Sequence, residues 1–176
     1  MQDVKYLNLE ELRVVLAGFD QPQFHAKQIF TWIYQKGITD FEAMSDLPQD
    51  LRSRLKENFY IFGLSLVKSL KSQDGTEKLL LELKDKNLIE CVNIPTQKRI
   101  TGCVSTQVGC KFACKFCASA LSGFKRNLTT GEILEEILYL KNNSQAKELT
   151  HIVFMGTGEP LDNYDNVLKA VRIINS

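Results

Sequence analysis

The sequence has no long apolar run. Nothing in it approaches the roughly 18 consecutive apolar residues that a membrane-spanning helix needs. Its opening, MQDVKYLNLEEL, has no basic segment followed by an apolar one, so a secretory signal is not expected and a cytoplasmic setting is. Proline is scarce, at 4 residues in 176, and there is no Pro- or Ser-rich linker, repeat or low-complexity tract. Net charge is almost absent at +1, and with 44% apolar residues the chain has enough material for a core, which excludes disorder as its main state. The length allows one domain, or a small one plus part of a larger one.

The small net charge hides a pattern. Residues 1–60 carry 7 basic and 9 acidic side chains, residues 61–130 carry 11 and 5, and residues 131–176 carry 4 and 7. A basic middle between acidic ends suits a polyanionic partner, although on charge alone solvated Lys-rich turns are the default. All 5 cysteines fall between residues 91 and 117. In a reducing compartment such clustering points to metal or catalysis, and the odd count argues against a disulfide framework.

Periodicity divides the chain into three. Residues 1–61 read as a small helical domain. Asn8 and Glu11 form a capping-box pattern before Leu9, Leu12, Val15 and Leu16, a helix over 24–35 stops at Gly37, and Pro48 opens another carrying Leu51 and Leu55. Here His25 and Lys27 are possible ligand contacts, with exposed helix positions the default. Residues 62–97 read as an antiparallel β-meander, with turn chemistry at Asp74-Gly75 and Asp85–Asn87 and a further strand over 98–105. From 98 to 176 the order is strand, loop, helix, strand, loop, helix. A capping box at Thr129 and Glu132 opens the helix to Lys141, His151–Met155 reads as a buried parallel strand, and Tyr164–Ile174 as the closing helix. The fold class is therefore α/β. In parallel βα units chemistry sits in loops at the carboxyl ends of strands, and the two unusual motifs both fall in such loops.

The first motif is Cys110-Lys-Phe-Ala-Cys114-Lys-Phe-Cys117. Three thiolates so close in sequence suit three corners of a cubane iron–sulfur cluster, whose fourth iron is then open to a small molecule. The alternatives are a zinc site completed by Cys103, Cys91 or His151, since structural zinc takes four ligands, or chance spacing. The second motif, Gly156-Thr-Gly-Glu-Pro160, sets a carboxylate between glycines where backbone approaches a ligand closely, unless it is a plain β–α turn.

Together these residues resemble the radical S-adenosylmethionine (SAM) superfamily. The wider set Phe24-His-Ala-Lys-Gln-Ile-Phe, Trp32-Ile-Tyr, Asp74-Gly-Thr-Glu-Lys, Leu88-Ile-Glu-Cys-Val, Cys103-Val-Ser-Thr-Gln-Val-Gly-Cys110, Gly123-Phe-Lys-Arg-Asn-Leu and Met155-Gly-Thr-Gly-Glu-Pro is similar to the RlmN family of RNA methyltransferases. The resemblance implies a partial (β/α)6 barrel, of which only the first two units fit here. It implies a 4Fe-4S cluster on Cys110, Cys114 and Cys117, with SAM chelated at the open iron and cleaved to a 5′-deoxyadenosyl radical. Phe116 would lie near the SAM adenine, and Gly158 and Glu159 would hold its methionine amino end. The implied reaction forms 2-methyladenosine in 23S rRNA and tRNA through a methylated cysteine, with Cys103 as resolving thiol and Glu90 as proton acceptor. Without the resemblance, Glu90 reads as a strand-surface charge. Cys91, its neighbour, points to the other face of the strand and reads as packing.

Other implied partners are a reducing electron donor and no membrane, with the chain a monomer. Lys98, Arg99, Lys125 and Arg126 are candidates for RNA phosphates, and the helical domain for an accessory RNA-binding role. The sister Cfr family, which methylates adenine C8, and a noncatalytic metal-containing RNA-binding module are the competing readings. The methyl-carrying cysteine matches none of the five present, so the chain reads as an N-terminal fragment, expected to expose apolar strand edges, to aggregate alone and to be unable to methylate RNA.

Overall fold

The computed structural model describes residues 1–112, 114–143 and 149–176. The amino-terminal third is helical: α1 (Leu9–Gly18), α2 (His25–Phe30), which continues as a π-helical turn over Thr31–Gln35, and α3 (Gln49–Asn58). The expected capping box on α1 is formed in both directions, Glu11 N–H to Asn8 Oδ1 at 2.9 Å and Asn8 N–H to Glu11 Oε2 at 2.7 Å. Leu12, Leu16, Ala26, Ile29, Ile33, Leu51 and Leu55 meet in one core. Sequence reasoning missed a two-residue parallel pairing of β1 (Gln2–Asp3) with β2 (Phe59–Tyr60), which brings the two ends of this helical part together. His25 is buried, its Nδ1 2.6 Å from Gln28 Oε1, so it serves packing and is not exposed to a ligand.

The rest is a five-stranded sheet backed by two helices. The strands are β3 (Ser65–Lys71), β4 (Glu77–Glu82), β5 (Leu88–Pro95) and β6 (Ile100–Cys103). A short ladder pairs β7 (Gln107–Val108) with β8 (Arg126–Asn127), α4 (Thr130–Asn143) and β9 (His151–Val153) follow, and α5 (Tyr164–Ile174) ends the chain. The sheet order is β3-β4-β5-β6-β9, with β3 to β6 antiparallel and β9 parallel to β6. This is the expected meander running into a βα unit. Leu79, Leu81, Ile89 and Cys91 face α4 and α5, whose Ile133, Leu134, Ile137, Ala170 and Ile173 complete this second core. Among the described residues no helix is long and apolar enough to cross a membrane.

The two cores are joined at α4. Leu138 of α4 enters the helical core. Beside it the ammonium of Lys5, fully buried, lies 2.9 Å from Glu135 Oε2 and 3.5 Å from Asp3 Oδ2, and donates to the carbonyl of Phe62. Burial pushes the Glu135 and Asp3 carboxyls up, and Lys5 pulls them back. Lys169 with Glu11 (2.8 Å) and Lys141 with the Tyr34 carbonyl (2.7 Å) add outer ties.

Removing one partner of a buried pair leaves the other charge uncompensated. Lys5→Met should lower the unfolding free energy by about 3–5 kcal/mol. Lys5→Met combined with Glu135→Leu should regain most of that loss, as read from urea denaturation midpoints. Equal destabilisation by the single and double variants would mean that the pair does not carry the junction.

Candidate functional site

The sheet register decides which side chains share a face. Val92 of β5 is opposite both Cys103 of β6 and Lys78 of β4, and Glu90 is opposite Leu80. Side chains alternate along a strand, so Glu90, Val92, Lys78 and Cys103 lie on one face and Cys91 on the other, fully buried in the core. The Glu90 carboxylate is half-exposed and 3.1 Å from Lys78 Nζ. Cys103 is half-buried. Burial pushes its thiol up, the Glu136 charge adds to that, and the Met155 N–H opposes it.

The cysteine loop rises from the carboxyl end of this arrangement. Its stems are β7 and β8, paired Gln107 to Asn127 and Val108 to Arg126. Gly109 has φ +74°, and a Cβ there would sit 1.6 Å from the carbonyl oxygen of Gly123, so the two stems cross in contact and only glycine fits. Cys110 and Cys117 are half-buried and Cys114 exposed, with the Cys117 N–H on the Cys114 carbonyl at 3.0 Å. Ala113, inside the first cysteine spacing, lies outside the described residues. Among the described residues no group of three His, Cys, Asp or Glu side chains is gathered as a metal site. The donor chemistry nevertheless suits a group held by three thiolates. All three thiols sit on one loop closed at its stems, while Cys91 is in the core and His151 lies at the amino end of β9, away from the loop. Phe116 is 93% exposed.

The Gly156–Pro160 turn lies against the segment that links β6 to β7. Gly156 N–H donates to the Val104 carbonyl (3.0 Å), Thr157 N–H to Ser105 Oγ (2.9 Å), and the Thr157 carbonyl accepts from the N–H groups of Thr106 and Gln107 at 2.9 and 3.1 Å. A Cβ on Gly156 would lie 2.7 Å from the Val104 carbonyl, and one on Gly158 (φ +108°) 2.6 Å from Gln107 Cβ. At these glycines the turn packs closely on the segment after β6; the sequence offers both the close approach of a ligand and a plain β–α turn. Glu159 caps the short helical turn after it, Oε1 accepting from Leu161 N–H at 3.0 Å. Ser105 Oγ also donates to the Glu90 carbonyl at 2.7 Å, so one hydroxyl links the Glu90 strand to the glycine turn.

Between the Glu90 face and the cysteine loop is a cavity of about 610 Å³, lined among others by Glu90, Gly109, Thr157 and the lysines Lys78, Lys86 and Lys125. Lys125 is thus placed at the site, bonded to Asn87 Oδ1 at 2.9 Å. The other basic candidates are not. Lys98 and Arg99 lie in the turn at the amino end of β6. Arg126 is committed to a bidentate contact with Glu132 (2.8 Å each) and to Asp85 (2.8 Å), which hold the Asp85 carboxyl far below its usual range.

Glu136 is a group that sequence reasoning missed. It is fully buried on α4, with Oε2 accepting from Ser105 N–H at 2.9 Å and Oε1 without a partner among the described residues. The signal was available: on a helix it shares an arc with Ile133 and Leu140, three residues before and four after. Burial raises its pKa well above the ordinary carboxylate value, and the Ser105 N–H lowers it in part.

Comparison with known proteins bears on this arrangement. Residues 3–61 match the family model "Ribosomal RNA large subunit methyltransferase N-terminal domain", and residues 104–176 match "Radical SAM superfamily". A crystal structure of a radical SAM methyltransferase from Sphaerobacter thermophilus superposes with a TM-score of 0.92 at 37% identity, over 100% of this chain and 52% of that one. The chain thus joins an RlmN-type N-terminal domain to the beginning of a radical SAM domain. A probable dual-specificity RNA methyltransferase RlmN of Clostridium perfringens is 46% identical over 100% of this chain and 51% of its own, and one of Carboxydothermus hydrogenoformans 50% identical over 96% and 49%. The chain corresponds to the N-terminal half of the RlmN family and spans about half the length of these curated relatives.

The Glu136 carboxyl binds its proton more tightly in the folded state than in the unfolded one. Its contribution therefore favours folding below the ordinary carboxylate range and turns against it as pH rises toward the raised value. The fall in stability between about pH 5 and about pH 8 should be smaller in Glu136→Gln than in the parent chain. Parallel denaturation profiles for the two proteins would show that this carboxyl does not titrate with unfolding.

Proposed function

We propose that this chain forms the cluster- and SAM-binding part of an RNA methyltransferase that makes 2-methyladenosine in 23S rRNA and tRNA, in the cytoplasm. Residues 1–61 serve as the accessory RNA-binding domain, 62–97 as the connection and 98–176 as the start of the barrel. The observation that carries this reading is the placement of Glu90 and Cys103 on one sheet face, with Glu90 lining a lysine-bearing cavity that also takes in Gly109 of the cysteine loop. A base that undergoes chemistry has to leave its stack, and this cavity offers an enclosure with cationic groups for the flanking phosphates.

Cys110, Cys114 and Cys117 would hold the 4Fe-4S cluster, which when bound supplies one-electron reduction of SAM. Glu159 accepts hydrogen bonds from the SAM ammonium group while Gly158 shapes the turn, and Phe116, 93% exposed, is available to the adenine ring. Glu90 accepts the proton lost from the adenine carbon. Cys103 provides the resolving thiol. Because its pKa is raised, it rests as the thiol and is unreactive until a base takes its proton. The five cysteines all lie at or before Cys117, so the methylated cysteine of this reaction is none of them, and these 176 residues alone should not transfer a methyl group.

Anaerobic loading of the chain with iron and sulfide, followed by EPR spectroscopy of the reduced protein, tests the reading. A 4Fe-4S signal that changes on adding SAM, and that is lost in Cys114→Ala, is expected. A tightly bound zinc ion, or a cluster indifferent to SAM, would favour the noncatalytic module. Binding to an RNA oligonucleotide across a salt series tests the cavity. Lys125→Met should weaken binding and reduce the log–log salt slope by about 1. Arg126→Met should leave that slope alone and lower thermal stability, because its partners are Asp85 and Glu132.

A further inference from the structure

Gln107 is fully buried and every polar atom of its side chain is used. Its Oε1 accepts from Glu159 N–H at 3.0 Å, and its Nε2 donates to Asn127 Oδ1 at 2.8 Å and to Asp162 Oδ2 at 2.7 Å. The amide fits only one way round, because only its NH2 end can face a carboxylate. Asp162 uses its other oxygen, Oδ1, to hold Lys111 Nζ at 2.6 Å. Lys111 directly follows Cys110, and its ammonium lies 5.9 Å from the ring centre of Phe112 and 5.8 Å from that of Phe124. A continuous chain of contacts, Lys111 to Asp162 to Gln107 to the Glu159 N–H, therefore joins the cysteine loop to the glycine turn. Lys111 and Gln107 hold the Asp162 carboxyl below its usual range, so both of its contacts are charge-assisted.

The chain of contacts differs from ordinary loop packing in one respect. Asp162 sits past the turn it supports and reaches back to two different segments with its two oxygens. Loss of either contact frees one side of the site while leaving the other in place. The cysteine end of the loop then loses its tie to the turn, while the β7 stem stays bonded to the turn through Ser105, Thr106 and Gln107.

We propose that Lys111, Asp162 and Gln107 form a positioning relay that sets the cysteine loop and the Gly158–Glu159 turn in register, so that a ligand held by one is presented to the other. This rests on the reading above, in which the loop holds the cluster and the turn meets the SAM amino group. The three are positioning residues and need not touch SAM.

The test has two arms. In the chain loaded with iron and sulfide, Asp162→Asn and Lys111→Met should retain the iron and weaken SAM binding about two- to fivefold, the range of a partly exposed ion pair. Both should diminish the EPR change that SAM induces. Lys111→Arg should restore parent behaviour, and Lys115→Met, exposed on the same loop, should leave it unchanged. Gln107→Glu, which turns a carboxylate toward Asp162, should weaken SAM binding about tenfold. The second arm uses the chain without cluster. Amide hydrogen exchange in Asp162→Asn should rise both in residues 109–118 and in residues 156–161. Exchange that rises only around residue 162, or SAM affinity equal to that of the parent, would overturn the relay. If the parent chain itself takes up no cluster, the functional reading fails, while the exchange arm still decides the relay.

Discussion

The buried ammonium of Lys5 is the constraint from which the arrangement of the two cores follows. It comes from the first residues of the chain, meets Glu135 on α4, and donates to the Phe62 carbonyl in the connection between helices and sheet. A buried pair of this kind is weak evidence for stability, since desolvation consumes most of its attraction. Its value is directional. The apolar contact at Leu138 tolerates sliding, whereas an ammonium that must satisfy a carboxylate and a carbonyl with water excluded accepts one docking angle. Glu135 and its neighbour Glu136 then divide α4 between two tasks. One carboxyl fixes the helical part, and the other takes the Ser105 N–H beneath the site.

The segment Ser105–Gln107 is where that placement becomes chemistry. Its backbone receives the glycine turn, its Ser105 hydroxyl touches the Glu90 strand, and its Gln107 amide reaches the turn's far side. None of these side chains is a reacting group in the proposed scheme. They explain why residues far apart in sequence share one rim, and why the two glycines of the turn admit no side chain. Charge around the cavity is similarly divided. Lys125 is presented to it, while the adjacent Arg126 is spent on Asp85 and Glu132.

Local features were legible in the sequence because their causes are local. Both capping boxes formed where the Asn8/Glu11 and Thr129/Glu132 spacings put them. Strand alternation alone separated Glu90 from Cys91, and the cysteine spacing marked the loop. What escaped depends on the partner supplied by another element. Lys5 looks like an ordinary solvated charge until a remote segment covers it, and Glu136, though it shares an arc with Ile133 and Leu140, shows its partner only once Ser105 is brought to it. Arg126 looks like a phosphate contact until Asp85 and Glu132 surround it. The close packing of the turn's glycines needs a segment about fifty residues earlier, as the separation of Glu159 from Gln107 shows. The short β1–β2 pairing carries no pattern long enough to detect.

The crossing of Gly109 and Gly123 has a thermodynamic corollary. It makes the cysteine loop a ring that is closed by the protein's own folding, through the β7–β8 ladder, before any metal arrives. The entropy of bringing the loop ends together is already spent, so in the proposed cluster site the three thiols would meet an incoming ion at a raised effective concentration rather than as separate ligands on an open chain. In the proposed cluster site, metal affinity and the stability of that two-residue ladder would be linked quantities: fraying the ladder would loosen the grip on iron, and iron would in turn hold the ladder shut.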